Sequence, residues 1–226
     1  MLTDAGHEVV FATERGGKAP RADPRLLDGV IFGRLGAYDE PKKFYRQLTR
    51  AEAFQAPVPW AELRPADYHG LLLPGGHAPG MRQYLAEEVL REKVAEFWKL
   101  DRPVGAICHG VLVLARTRDP ETGRSVLADR RTTCLPKFME RSAYYLTAWR
   151  LGRYYRTYPE YVQDEVTAAL TDPKQFVRGP NTLRRGTATD HANAFVVQDG
   201  NYLSARWPGD AYLFAERFCQ MLSSTA

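Results

Sequence analysis

The sequence predicts an α/β protein: a doubly wound, mostly parallel sheet in three layers, with an inserted helical cap. Strand and helix signals alternate along the chain, the pattern of a parallel sheet covered on both faces. Two predicted strands run into turns rich in small residues, at the carboxyl edge where such sheets bind ligands. The length of 226 residues, 44% of them hydrophobic and 26% charged, suits a single α/β domain over 1–226.

The elements follow in order. Residues 7–13 (HEVVFAT) read as a strand, followed by a Gly/Pro-rich loop over 15–24. Residues 42–54 read as a helix, ended by Pro57 and Pro59. Residues 68–73 form a strand that stops at Pro74-Gly75-Gly76. Over 87–100, Val89, Leu90, Val94, Phe97 and Trp98 share one helical face. Residues 103–107 are a short buried strand, and a helix is expected to start just after Cys108. Residues 194–198 and 202–205 flank Asp199-Gly200-Asn201, a hairpin signal. A last helix over about 210–222 is expected to bury Tyr212, Leu213, Phe214 and Phe218.

The stretch over about 135–185 is rich in arginine and aromatics and reads as the helical cap. Its Tyr144, Tyr145, Trp149, Tyr154 and Tyr155 either pack helices or form a lid over the site. The chain opens on Ala5-Gly6-His7 leading into a strand, so the first strand of a doubly wound sheet is expected to be missing or to lie upstream.

Composition narrows the function. The apolar content excludes disorder, and three cysteines exclude a disulfide scaffold. Cys108, Cys134 and Cys219 are odd in number and form no CxxC, which fits a reducing cytoplasm. No run approaches the length of a membrane span, and the start lacks a signal peptide's regions, so no membrane partner is expected. Net charge is +4, with residues 116–186 carrying 14 Lys+Arg against 8 Asp+Glu, or +6, and the remainder 17 − 19 = −2. Acidic residues interrupt the basic stretch and no nucleic-acid motif accompanies it, so it reads as a solvated face with no nucleic-acid partner. No HxH, HExxH or cysteine cluster marks a metal site.

The most specific feature is Val104-Gly105-Ala106-Ile107-Cys108-His109-Gly110, between a buried strand and a helix. A nucleophile elbow needs small residues two before and two after the nucleophile, because the turn is crowded. Ala106 and Gly110 meet that need around Cys108. A helix N-terminus is expected to lower the thiol pKa. The second feature is Leu71-Leu72-Leu73-Pro74-Gly75-Gly76-His77, whose glycines allow backbone N–H groups to approach a ligand or an oxyanion. No Gly-Lys-Ser/Thr follows, which argues against a phosphate loop. His77 is a pocket candidate, His7 and His69 read as structural, and Cys134 reads as a buried strand residue or a resolving thiol.

Together these motifs resemble the ThiJ/PfpI superfamily of class I glutamine amidotransferase-like proteins, over nearly the whole chain. The segments 5–13, Gly16-Gly17-Lys18-Ala19-Pro20 and Asp23-Pro24 look most like the branch of heat-shock chaperones, deglycases and glutathione-independent glyoxalases. The resemblance implies Cys108 as nucleophile and His109 as neighbouring base or proton shuttle. It implies an oxyanion hole from the N–H groups of Gly76 and His109, with Gly75 shaping the turn. The family's acidic residue beside the cysteine falls before Met1. Where some relatives place a histidine after the elbow helix, residues 131–136 offer Cys134; Asp190-His191 echoes, in reversed order, a distant pair of glutaminase relatives, making His191 a candidate third group.

The expected function is a cysteine-dependent hydrolase, amidase or glyoxalase-like lyase acting on a small carbonyl or amide compound, with no cofactor needed. The alternatives are a redox-sensing or chaperone-like stress protein using Cys108, or a degenerate binding module. The resemblance also implies a homodimer.

Overall fold

Four strands form the central sheet of the computed structural model, which describes residues 1–29, 36–156 and 158–224. They are β3 (Leu71–Leu73), β4 (Val104–Ile107), β5 (Val196–Asp199) and β6 (Tyr202–Ala205), in the order β3-β4-β6-β5. β3, β4 and β6 run parallel, with Leu72 opposite Gly105 and Gly105 opposite Leu203. β5 is antiparallel to β6, closing the hairpin predicted at Asp199-Gly200-Asn201, with Gly200 at φ 59°. A left-handed residue is what such a tight connection demands.

All four residues of β6 are buried, as a strand covered on both faces requires. Leu203 and Ala205 pack with Phe214, Phe218 and Met221 of α9 (Ala211–Ser224). Tyr202, on the alternate face, joins the main core with α5 (Glu88–Trp98) and α6 (Val111–Arg116). That alternation makes three layers. α5 buries Leu90, Val94 and Phe97, with Val89 and Trp98 half-buried at the edge of the predicted face. On α9 the expectation needs correcting: Met221 is buried, and Tyr212 and Leu213 are only half-buried.

The amino-terminal elements are shorter than predicted. β1 (Ala12–Thr13) keeps only the end of the expected strand over 7–13, because its ladder partner, β2 (Val58–Pro59), is two residues long. These two form a parallel pair separate from the main sheet. α1 (Pro24–Asp28) starts where the Asp23 carboxylate accepts from the Arg25 N–H at 2.9 Å. The helix expected over 42–54 is two, α2 (Asp39–Leu48) and α3 (Glu52–Gln55). α2 buries nothing; the break lets Phe54 turn inward to meet Phe11 edge-on at 5.1 Å. α4 (Met81–Ala86) follows the glycine turn after β3.

The cap region contains α7 (Lys137–Leu151) and α8 (Val162–Ala168). The Arg116 guanidinium donates to both carboxylate oxygens of Glu165 on α8, at 2.5 and 2.9 Å, and stacks over Tyr158 at 4.3 Å. A bidentate pair of this kind fixes orientation as well as distance. Between α8 and β5 the chain is mostly irregular, with a single 3₁₀ turn at Pro173–Gln175. It is anchored by the fully buried pair Arg206 and Asp210, where the guanidinium also donates to the Pro180 and Asn193 carbonyls and the carboxylate accepts from the Phe195 N–H.

Candidate active site

The site grows from the end of β4. Cys108 stands at φ 59°, the left-handed region that side chains other than glycine avoid at a cost of about 1–2 kcal/mol. The turn that follows, Cys108–Gly110, is a single 3₁₀ turn leading directly into α6. Both small residues of the elbow are required. Ala106 is fully buried, and a Cβ on Gly110 would collide with the carbonyl oxygen of Leu73 and stand 2.6 Å from that of Pro74. Gly75 is pressed against the same turn: a Cβ there would lie 2.6 Å from the Ile107 carbonyl oxygen, 2.7 Å from the His109 nitrogen and 2.8 Å from the Cys108 Cβ. The two loops read from sequence therefore touch. Gly76 lies next to Met81 of α4.

The Cys108 Sγ and the His109 Nδ1 are 3.4 Å apart. His109 is fully buried and Cys108 only 5% exposed. Burial pushes the thiol up to about 12; the His109 backbone N–H pulls it down, and the charges of Glu140 and Asp210 add to the rise. This corrects the expected lowering at the helix N-terminus, because loss of water outweighs the partial charge of a single turn. Burial likewise holds the His109 imidazole well below its usual range, helped by His77 and Arg116. Burial thus favours the neutral form of both thiol and imidazole. The imidazole Nε2 has no hydrogen-bond partner among the described residues.

His77 belongs to the site. Its ring meets that of His109 edge-on at 4.6 Å, and burial lowers its pKa to about 4. On its other side the Tyr155 ring packs at 5.1 Å; Tyr154 follows Tyr155 at 5.1 Å, and the Arg25 guanidinium sits 5.5 Å over Tyr154. Tyr154 and Tyr155 are buried, whereas Tyr145 and Trp149 of the same aromatic run are 63% and 70% exposed. The run therefore divides between buried rings packed toward His77 and a solvated face.

His191 is not brought to this group: its Nδ1 lies 3.3 Å from a carboxylate oxygen of Glu216 on α9. Cys134 is fully buried but lies in no strand; its thiol points to the Leu135 carbonyl at 3.6 Å, and its ionisation is opposed by burial and by Cys108. His69 is exposed. The residue that sequence reading missed is Glu140 on α7. It is 1% exposed, its carboxylate accepts from the Val162 N–H at 3.1 Å, and burial raises it to about 7. Among the described residues no cluster of three or more His, Cys, Asp or Glu is arranged to hold a metal, and no helix is long and apolar enough to cross a membrane.

A family profile described as ThiJ/PfpI family-like matches residues 1–180. The chain belongs to the ThiJ/PfpI family. A deglycase from Pyrococcus abyssi is 27% identical over 98% of this chain and 86% of its own length. An uncharacterized protein of Schizosaccharomyces pombe is 26% identical over 97% of this chain and 74% of its own. Among solved structures, glyoxalase III from Candida albicans superposes with a TM-score of 0.69 at 18% identity, covering 97% of this chain and 82% of that one. Drosophila melanogaster DJ-1beta gives a TM-score of 0.55 at 18% identity, over 98% and 78%. These superpositions show the same flavodoxin-like α/β fold.

Proposed function

We propose that this ThiJ/PfpI protein is a cysteine-nucleophile enzyme acting on a small carbonyl compound, with glyoxalase-like chemistry on an α-oxoaldehyde as the favoured reaction. The observation that carries the reading is the strained Cys108 elbow, with its sulfur 3.4 Å from the His109 Nδ1. The deglycase relative supports chemistry of this class.

Because the thiol rests protonated, attack is coupled to proton transfer. The Cys108 sulfur forms a bond to the aldehyde carbon as its proton passes to the His109 Nδ1. The resulting oxyanion is held by the backbone N–H groups of Gly76 and His109. The oxyanion then takes a proton, giving a hemithioacetal. The former aldehyde carbon loses its proton and the neighbouring carbonyl carbon gains one, while the hydroxyl proton of the first carbon passes to the neighbouring oxygen, so the first carbon is oxidised to a thioester and the second reduced to an alcohol within the substrate. Water hydrolyses the resulting thioester, releasing a 2-hydroxy acid and restoring the thiol. With an amide substrate the same thiol would form a thioester and release ammonia.

Incubation with 2-oxopropanal, following aldehyde loss and hydroxy-acid formation, tests the reaction. The wild-type chain is expected to turn over, and Cys108→Ser to lose at least about a hundredfold in rate. No hydroxy acid from folded protein with a titratable Cys108 would overturn the reading. A redox-sensing role is less favoured, since sensor cysteines are exposed and of low pKa, the reverse of Cys108.

A further inference from the structure

Any substrate has to reach a thiol that is 5% exposed beside a fully buried imidazole. The rings packed edge-on beside that imidazole come from two different parts of the fold. His109 and His77 stand on turns at the sheet edge, fixed by the tight contact of Gly75 with the Cys108 loop. Tyr155, packed on His77 at 5.1 Å, comes instead from the cap, three residues beyond Gly152, where α7 ends at φ 57°. Tyr154 packs on Tyr155 in turn and is held from outside by Arg25, whose side chain lies on the exposed side of α1. The column His109–His77–Tyr155–Tyr154–Arg25 thus runs from the reacting group to the surface, and its two tyrosines are the members that the sheet does not fix.

We propose that Tyr155 is a specificity-determining residue that limits the size of substrate reaching Cys108, confining the site to short, unbranched carbonyl compounds. The inference rests on the reading of Cys108 as the nucleophile. A two- or three-carbon aldehyde needs only a small shift of the ring, which keeps its packing on Tyr154. A branched or aromatic carbonyl compound has to displace the ring and break its contacts with both His77 and Tyr154. Arg25 latches the pair, so releasing it from outside loosens the filter without removing any core volume.

Alkylation of Cys108 in the full chain, resolved by peptide mass, tests this with a small reagent, iodoacetamide, and a bulky one, N-phenylmaleimide. Tyr155→Phe is expected to keep the wild-type ratio of the two rates. Tyr155→Ala is expected to raise the N-phenylmaleimide rate about tenfold or more, with a smaller gain for iodoacetamide. Arg25→Ala is expected to shift the ratio in the same direction by a smaller factor, and it carries the test if Tyr155→Ala fails to fold. Equal acceleration of both reagents, or an unchanged ratio in a variant with unchanged thermal unfolding, overturns the proposal. Turnover of 2-oxopropanal by the same samples keeps the two questions apart: a shifted ratio without turnover in any sample removes the enzyme reading and leaves the filter.

Discussion

Glu140 and Cys108 are both buried, and the carboxylate's charge adds to the rise that burial imposes on the thiol. Glu140 binds its proton more tightly in the folded chain, at about 7, than its ordinary value of 4.5. Its contribution is therefore fully present below about pH 4.5 and is lost as pH rises through 7. The span of 2.5 pH units corresponds to about 3 kcal/mol. His77 acts in the opposite direction, its folded value of about 4 costing stability as pH falls below 6.5. The difference between wild type and Glu140→Gln isolates the carboxyl. Urea unfolding across pH 4.5 to 8 is expected to show the variant gaining on the wild type by up to about 3 kcal/mol, because Gln keeps the acceptor for the Val162 N–H. A constant difference across that range would place Glu140 in a wetter setting. Cys108 was legible as a candidate because an elbow prescribes small residues at fixed offsets, which Ala106 and Gly110 supply, and Gly75 because a predicted strand runs into a glycine turn. Glu140 was not, since nothing local to Lys137–Leu151 tells which of its polar residues faces inward. The thiol's pKa was misread for a related reason: a helix terminus is visible in sequence, whereas the extent of burial is a property of the packed chain.

At the scale of elements, the strand–turn–helix unit from Val104 to Arg116 carries the candidate site, and Gly110 sets its tolerance. Gly110→Ala is expected to cost about 3 kcal/mol or more in urea unfolding, because the Cβ would meet backbone carbonyls that cannot swing aside. Gly123→Ala is the control: at φ 68° with nothing within 4 Å of the new Cβ, it carries only the left-handed strain of about 1 kcal/mol. Equal losses would show that the elbow has slack. The hairpin and α5 were read well because their patterns are local, a turn dipeptide in one and a helical stripe in the other. β1 and the α2–α3 break were not. A strand's length depends on its ladder partner, and the break is driven by burial of Phe54 against Phe11, a contact remote in sequence.

At the scale of the whole molecule, the cap is joined to the core by Arg116–Glu165 on one side and by the ring column on the other. The irregular run between α8 and β5 is pinned by Arg206 and Asp210, both fully buried with every polar side-chain atom of the pair hydrogen-bonded. The sheet beneath comes in two pieces, β1 with β2 and the four strands from β3 to β5. Leu71 donates to the Pro103 carbonyl on the β4 side, so in a parallel ladder the next amide, that of Leu72, turns the other way. Leu72 is 37% exposed and Val10, just before β1, 41% exposed. Central strands ordinarily hold the amides slowest to trade hydrogen for deuterium, opening only when the whole domain opens. Here the clock should run unevenly across one strand pair: Leu203 and Gly105, between covered neighbours, exchange last, while Leu72 exchanges early. Deuterium uptake resolved to single amides would show that contrast directly, and slow exchange at Leu72 would mean that its edge is covered in solution.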